Sequence, residues 1–195
     1  MLKSASKIIT NKNRIIAIDP ASHSLAWAII DLKPLKLVAT GKINLTKMQQ
    51  PAIKFANITN GINEVCREYK PGVAVIEQSV YIQNFQSSRI ISYIIGYTWG
   101  ILVNHCSHVL DINPIIWKRG IGYKNLSNAD KERLKNDTGK GSFEAKKKKE
   151  RKQRVREIVE KYFDISSIDD DDIVDAIGIG MWYYGLGSSD GASTV

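Results

Sequence analysis

Acidic side chains stand at three places where a secondary-structure element is predicted to end or begin. Asp19 ends one short apolar run, and Glu77 ends another. Asp172 and Asp175 stand three residues apart at the predicted start of the last helix, so they share one helix face. If the strands that end at Asp19 and Glu77 are neighbours, the carboxylates gather at one sheet edge, where α/β proteins place their ligands.

An acidic cluster without histidine or cysteine is typical of sites for Mg²⁺ or Mn²⁺. Each acid also has a simpler explanation. Asp19 precedes a proline and suits a turn, Glu77 suits a strand-end charge, and residues 169–172 suit a helix N-terminus. The coincidence of acids in three separate segments favours a metal site.

The elements that must position these acids are predicted from apolar periodicity. Strands are predicted over residues 14–19, 25–31, 35–45, 73–77 and 108–112, with Leu37, Ala39, Ile43 and Leu45 as the apolar alternation of the third. Helices are predicted over residues 51–69, 87–107, 114–118, 143–163 and 172–184. The first three strands form a meander, and the whole order indicates an α/β fold with a mixed sheet flanked by helices.

The length of 195 residues suggests one domain, since roughly 100–200 residues per domain is usual. We expect a basic N-terminal extension over residues 1–13, the domain over residues 14–185 and a flexible tail over residues 186–195. The small residues from position 185 onward are not expected to fold. A basic insertion is expected near residues 120–150, and its polar, glycine-punctuated first part, residues 120–141, predicts a mobile loop.

The net charge of +8 is concentrated in one strip. Residues 140–156 carry nine Lys or Arg and two Glu, a local charge of +7 that leaves about +1 for the rest of the chain. Such a strip is expected where a protein binds a polyphosphate, although a solvated helix face explains a charge run equally well.

The composition, with 43% hydrophobic and 25% charged residues, is that of a soluble globular protein. The longest apolar run, residues 90–103, is shorter than the roughly 20 residues that span a bilayer, so we expect no membrane partner. Cys66 and Cys106 cannot form a disulfide framework and show no zinc spacing, which favours a reducing, intracellular compartment. We find no secretory signal, and the basic N-terminus leaves mitochondrial targeting open.

Three motifs in register resemble the RuvC-like Holliday junction resolvases, members of the ribonuclease H-like superfamily. They are Ile18-Asp-Pro-Ala-Ser22, Ile76-Glu-Gln78 with Tyr81 and Ser87-Ser88 following, and Asp172-Ile-Val-Asp-Ala176. The resemblance covers residues 14–185 and implies a ribonuclease H-like mixed five-stranded sheet flanked by helices. The richness in Ile, Asn and Lys suits a viral or phage member.

The chain departs from the family pattern at three places. Ala21 and Ala26 stand where the family usually has glycine, and a positive φ at Ala21 would be strained. Residues 127–138 look like an insertion ahead of the family's Gly-x-Gly loop, represented here by Thr138-Gly-Lys-Gly141.

The resemblance implies that Asp19, Glu77, Asp172 and Asp175 bind two Mg²⁺ ions, for which Mn²⁺ substitutes. Lys118 and Lys152 would complete the catalytic set by neutralising charge on the transferring phosphoryl group. Lys152 is the best match on its helix because Val155 and Val159 fall at the expected apolar positions. Lys148 and Lys149 stay open alternatives, and for a single lysine an ordinary surface position is the default explanation.

DNA contacts are expected from the loop after Glu77 and from the basic strip. In the resemblance, the loop with Tyr81 and Phe85 enters the junction and stacks on an unpaired base, although packing of a tyrosine beneath the loop is an equal competitor. The predicted DNA-binding residues are Tyr81, Phe85, Arg89, Lys118, Arg119, Lys140, Lys146, Lys147, Lys148, Lys149, Arg151 and Lys152.

The helix over residues 87–106 is expected to form a homodimer. Gly96 and Gly100 stand four residues apart, with Ser92 one turn earlier, a spacing that allows two helix backbones to approach. Family members dimerise through this helix, and a two-fold dimer presents two matching sites to a four-way junction. Packing of the same helix against its own sheet is the alternative explanation.

The sequence therefore predicts a Holliday junction resolvase, an endonuclease that makes paired, symmetric nicks by two-metal hydrolysis and leaves 5′-phosphate and 3′-hydroxyl ends. One alternative is a ribonuclease H-like nuclease that cuts flaps, branched DNA or RNA–DNA hybrids. Another is a catalytically silent junction-binding protein.

Overall fold

The computed structural model describes residues 10–46, 50–79 and 85–188, with the backbone alone for residues 85–88 and 186–188. Its strands are β1 Asn11–Pro20, β2 Ser24–Leu32, β3 Leu35–Asn44, β4 Pro71–Glu77 and β5 His108–Ile112. Its helices are α1 Pro51–Tyr69, α2 Phe85–Leu102, α3 Pro114–Gly120, α4 Asn128–Asn136, α5 Phe143–Val159 and α6 Asp171–Ser188.

The five strands form one mixed sheet in the order β3-β2-β1-β4-β5. β1, β2 and β3 are antiparallel neighbours joined by short turns, whereas β4 and β5 run parallel to β1. The parallel connections pass through α1 and α2, as crossovers require. The predicted α/β class, the five strands and the meander are confirmed.

Helices cover both faces of the sheet, because successive residues of the central strands point to opposite faces and are apolar on both. In β1, Ile15 and Ala17 face α3, α5 and α6, whereas Ile16 and Ile18 face α1 and α2. All four are fully buried, and burial of an aliphatic side chain of this size contributes about 1.5–3 kcal/mol. The rigid centre of the sheet therefore carries the ends of β1 and β4.

A bulge in β3 corrects the predicted alternation of that strand. Ile29 pairs with Ala39, but the adjacent Ile30 pairs with Leu37, so Val38 is the extra residue. Leu37 consequently packs on the α5–α6 side, whereas Ala39 and Ile43 pack on the α1–α2 side. Leu37 and Ala39 do not share one face, because an inserted residue shifts the side-chain parity of everything before it.

The prediction of a mobile loop over residues 120–141 is wrong, because α4 lies within this segment. The Ser127 hydroxyl accepts a hydrogen bond from the Asp130 amide at 3.1 Å, and the Asp130 carboxylate accepts one from the Ser127 amide at 2.8 Å. This reciprocal cap satisfies two otherwise unpaired donors. Leu134 is buried, and Arg154 of α5 pairs with Asp130 at 2.9 Å, so the polar segment docks on α5.

Three helix ends also differ from the prediction. α2 ends at Leu102 rather than near residue 107. α6 continues to Ser188, past the point at which the tail was expected to begin, because small residues lower helix propensity without preventing a helix. α5 ends at Val159, and Phe163 beyond it is buried in the core on the α5–α6 side. The apolar spacing that predicted helix as far as Phe163 reflects this burial.

Among the described residues, none of the helices is both long enough and apolar enough to cross a bilayer.

Candidate active site

Asp19 and Glu77 lie side by side at one edge of the sheet. β1 and β4 are parallel, with Ile18 opposite Ile76, so the next residue of each strand emerges at the same edge. Neighbouring strands are about 4.8 Å apart. The condition stated from the sequence, that the first and fourth strands be neighbours, is met.

The first turns of α6 bring Asp172 and Asp175 toward the same edge. The helix packs closely because it presents glycines to its neighbours: a Cβ on Gly178 would lie 2.7 Å from the Trp117 ring, and one on Gly180 would lie 2.5 Å from Ile30. Asp170 braces the helix start, since its carboxylate accepts a hydrogen bond from the Asp172 amide at 2.9 Å.

The four acids act on one another electrostatically. Burial, followed by the charges of Glu77, Asp175 and Asp172, raises the pKa of Asp19 well above its ordinary value. Burial likewise raises the pKa of Glu77 and the pKa of Asp175, although nearby lysines oppose both shifts. This edge of the sheet therefore concentrates negative charge that lacks sufficient positive charge to offset it.

Glu77 is held by Trp117. The fully buried indole of α3 donates its Nε1 hydrogen to Glu77 Oε2 at 2.5 Å. This bond opposes the effect of burial on the pKa of Glu77, because it stabilises the ionised carboxylate. One oxygen of Glu77 is thereby fixed toward α3.

Asp172 differs from the other three acids because two lysines neutralise it. Lys152 of α5 contacts Oδ1 at 2.9 Å, and Lys42 of β3 contacts Oδ2 at 2.8 Å. Although burial alone would raise it, the hydrogen bonds from these two lysines lower the pKa of Asp172 to about 2.

The carboxylates of Asp19, Glu77 and Asp175 have the ligand chemistry that a hard divalent cation prefers, because they offer only oxygen ligands, are partly buried and raise one another's pKa. As placed, no group of three or more His, Cys, Asp or Glu side chains within residues 10–46, 50–79 and 85–188 is gathered closely enough to hold a metal ion. Asp172 would join such a set only after exchanging a lysine partner.

Lys118 lies beside the acids, as its predicted role requires. Its Nζ is 4.9 Å from the centre of the Trp117 ring. Its charge lowers the pKa of Asp19, of Glu77 and of Asp175 against the stronger effect of burial. The structure thus brings Lys118 and Lys152 to the acids, while their catalytic roles stay predictions.

A groove of about 620 Å³ opens beside Asp175. Besides Asp175, the lining comes from α3, α5 and the segment between α3 and α4. It contains five basic residues, Lys118, Arg119, Lys148, Arg151 and Lys152, with Pro114, Ile115, Tyr123, Asn125 and Val155. A cationic groove that meets an acidic cluster suits a phosphodiester chain whose cleavage needs a metal.

The other predicted DNA contacts are more scattered. Lys146 is bound to Asp137 through the backbone carbonyl and, at 3.3 Å, the carboxylate, and Lys147 pairs with Glu144 at 2.6 Å. Three further basic residues are exposed and do not line the groove: Arg89, Lys140 and Lys149. Tyr81 and the side chain of Phe85 lie outside the described residues.

Sequence reasoning missed three residues that shape the site. Lys42 and Trp117 contact the acids directly, and the buried Lys54 donates to the Ser22 carbonyl at 3.1 Å, which holds the β1–β2 turn. Lys42 depends on the register of β1, β2 and β3, including the bulge in β3, and no local sequence signal indicates any of the three. Ala21 does not have a positive φ, so alanine there carries no such strain.

The fold and the site together define a class. A mixed five-stranded sheet in this order, with helices on both faces, is a ribonuclease H-like fold. Thermus thermophilus RuvC in complex with a Holliday junction substrate superimposes with a TM-score of 0.65 at 13% identity, over 93% of this chain and 99% of that one. The yeast mitochondrial Holliday junction resolvase gives 0.55 at 13% identity, over 94% and 82%.

Sequence comparison narrows the class. No family model matches the chain. Crossover junction endodeoxyribonuclease RuvC of Rickettsia felis is 27% identical over 123 residues, which is 62% of this chain and 77% of the relative. RuvC of Rickettsia akari is 32% identical over 101 residues, 50% of this chain and 62% of the relative. The chain is RuvC-like in sequence and in fold, which confirms the resemblance seen in its motifs; a viral or phage origin stays a prediction.

Proposed function

We propose that this chain is a Holliday junction resolvase, an endonuclease that makes paired, symmetric nicks in four-way DNA junctions. One observation carries the proposal. Asp19, Glu77 and Asp175 lie toward one sheet edge, near enough for the charges of Glu77 and Asp175 to raise the pKa of Asp19, and Asp175 lines a groove to which Lys118 and Lys152 also contribute. The similarity to RuvC sequences supports the choice of substrate.

In the proposed site, Asp19, Glu77, Asp172 and Asp175 hold two Mg²⁺ ions, or Mn²⁺ in their place. When bound, such a pair supplies activation of a water molecule and neutralisation of charge at the leaving oxygen. The carboxylates orient this chemistry toward the groove, and cleavage leaves a 5′-phosphate and a 3′-hydroxyl. The acids are partly buried, which strengthens the electrostatic contacts made there.

Lys118 and Lys152 act on the phosphate in this mechanism. Both line the groove and both act electrostatically on Asp175, so a phosphate lying at the acids is within their influence. Their ammonium groups stabilise the negative charge that develops on the phosphoryl oxygens during cleavage. Lys152 is the best choice in the basic run because it pairs with Asp172, whereas Lys148 lines only the groove.

The remaining basic residues supply affinity without sequence preference. Arg119, Lys148 and Arg151 line the groove beside the site, where they can neutralise phosphates along one strand. Binding of this kind weakens steeply with salt, and selectivity then comes from junction shape. Stacking of Tyr81 and Phe85 on an unpaired base would add to this selectivity.

The proposed enzyme is a homodimer through α2. Tyr93 is 58% exposed, and a Cβ added to Gly96 or Gly100 would meet nothing within 4 Å. Tyr97 is 39% exposed and packs its ring on Phe55 of α1. Open glycines beside an exposed aromatic side chain let a second helix approach closely. Two-fold symmetry would present two sites to the two symmetry-related strands of a junction.

The test is a substrate panel: an end-labelled four-way junction, a matched duplex, a flap and an RNA–DNA hybrid, each incubated with Mg²⁺ or with EDTA. Asp19→Asn and Glu77→Gln serve as site variants. We expect Mg²⁺-dependent cutting of the junction that both variants lose. Stronger cutting of flaps or hybrids would overturn the substrate assignment, and tight junction binding without cutting in Mg²⁺ or Mn²⁺ would indicate a silent binder.

A further inference from the structure

The pairing register of the sheet places Lys42 beside the candidate active site. Asp19 pairs with Ala26 across β1 and β2, and Ala26 pairs with Lys42 across β2 and β3. Residues directly opposite in a ladder project from the same face. Lys42 and Asp19 therefore flank one alanine on the face covered by α6, two strand spacings or about 9–10 Å apart.

The small side chain between them leaves Lys42 free to extend over the sheet. Its Nζ reaches Asp170 Oδ2 at 2.7 Å and Asp172 Oδ2 at 2.8 Å, both at the start of α6. The Lys42 side chain is 23% exposed and that of Asp172 is 29% exposed, so the ion pairs are shielded but not sealed from water.

Both oxygens of Asp172 are thus engaged by lysines, Oδ1 by Lys152 and Oδ2 by Lys42. An ammonium group and a divalent cation compete for the same carboxylate oxygen. A metal ion that uses Asp172 has to take one oxygen from one lysine. The chain itself therefore places a competing cation at this edge of the proposed metal site.

Lys42 is the lysine that can withdraw at lower cost. It keeps the ion pair with Asp170 when it leaves Asp172, and Asp170 is held in place through the Asp172 amide. Lys152 has no second hydrogen-bonded acid among the described residues: Asp171 is 4.0 Å away, beyond hydrogen-bonding distance, and Asp175 acts on it only through its charge. Displacement of Lys42 leaves Lys152 on Asp172, beside the groove where its proposed role lies.

We propose that Lys42 is a built-in counter-ion for the metal site: it holds Oδ2 of Asp172 in the metal-free protein, yields that oxygen to the divalent cation and withdraws to Asp170. Lys42 is a positioning residue that sets the affinity for the cation at Asp172. The inference rests on the proposed function, since it requires that Asp172 bind a metal ion.

The experiment is a titration of the full-length protein with Mn²⁺, followed by the electron paramagnetic resonance signal of the free ion, which needs no DNA and no turnover. Lys42→Met keeps the length of the side chain and removes the charge. Lys42→Arg keeps the charge, and Lys36→Met removes a charge from the exposed, far end of the same strand.

We expect Lys42→Met to bind Mn²⁺ at the Asp172 site about five- to tenfold more tightly than the wild type does. This change corresponds to about 1–1.4 kcal/mol of binding free energy. Lys42→Arg and Lys36→Met should stay within about twofold of the wild type, on the same scale. Lys42→Gln repeats the test if Lys42→Met unfolds at a lower temperature.

Unchanged or weaker Mn²⁺ binding in folded Lys42→Met or Lys42→Gln would overturn the proposal, since a positioning role that helps the metal predicts the opposite sign. Failure of the proposed function looks different: the wild type would bind no Mn²⁺, or would bind it equally well after Asp19→Asn. Tight wild-type binding that Asp19→Asn abolishes, with no gain in Lys42→Met, leaves the metal site standing and removes only the role of Lys42.

Discussion

The hydrogen bond from Trp117 to Glu77 offers a quantitative test of how the site is held. Trp117 is fully buried, and its ring packs against Gly178 of α6. Trp117→Phe removes the N–H donor and part of the ring. The loss of a hydrogen bond to a buried charged group costs about 1.5–3 kcal/mol, and the space left beside Gly178 costs about 1–3 kcal/mol more.

The dependence on pH separates these two costs in metal-free buffer. Burial already raises the pKa of Glu77 in the folded state, and the hydrogen bond from Trp117 opposes that rise, so the variant raises this pKa further. A carboxyl group with a raised folded-state pKa loses stability as pH rises through that pKa. The stability lost with the hydrogen bond should therefore be small near pH 4. It should be fully present once the pH exceeds the folded-state pKa of Glu77 in both the wild type and the variant. The packing cost should be the same at every pH.

The assay is urea unfolding of the wild type and of Trp117→Phe at several pH values between about 4.5 and 8, which brackets the titration of a raised carboxyl group. A double-mutant cycle with Glu77→Gln isolates the pair. We expect a coupling of about 1–2 kcal/mol at pH 8, because charge-assisted hydrogen bonds are roughly twice as strong as neutral ones. A difference that is constant with pH, with zero coupling, would refute the role of Trp117 in holding Glu77.

Three further changes test other parts of the account. Asp19→Asn should stabilise the metal-free protein at pH 7, with the gain disappearing toward pH 4, because the raised pKa of Asp19 penalises its ionised form; thermal unfolding that shows no pH-dependent gain would contradict this. Gly100→Leu should give a folded monomer by light scattering, whereas Gly185→Leu, another helical glycine with open space, should stay dimeric. Arg154→Met should speed amide hydrogen exchange in α4 by about tenfold, equivalent to about 1.4 kcal/mol of lost protection. Amide exchange in β1 should be unchanged. Equal protection of α4 in the variant and the wild type would show that the ion pair with Asp130 does not hold the helix.

The features predicted from sequence are those set by local patterning. Apolar runs bounded by turns identified all five strands, and the acids that end two of them followed from strand order alone. Helix start signals placed α1 and α3 within a residue or two, because proline opens both. Asp19 and Glu77 were predictable because two strand ends at one sheet edge determine their proximity.

The features that were missed depend on contacts between distant segments. α4 was hidden because its sequence is polar and its docking relies on Arg154, about twenty residues further along the chain. Lys42 reaches the site through the register of three strands and a bulge, which no local pattern encodes. Trp117 reads as an ordinary core aromatic, and only the meeting of α3 with β4 turns its N–H toward Glu77.

The most direct measurement is cleavage of a four-way junction in Mg²⁺, with each strand labelled in turn and the products treated with DNA ligase. We expect one nick in each of two opposing strands, at symmetric positions, and full resealing by ligase, because the proposed cleavage leaves 5′-phosphate and 3′-hydroxyl ends. The same reaction with Asp19→Asn should leave the junction intact. An uncut junction with the wild-type protein in either Mg²⁺ or Mn²⁺, or equal cutting by Asp19→Asn, would contradict it.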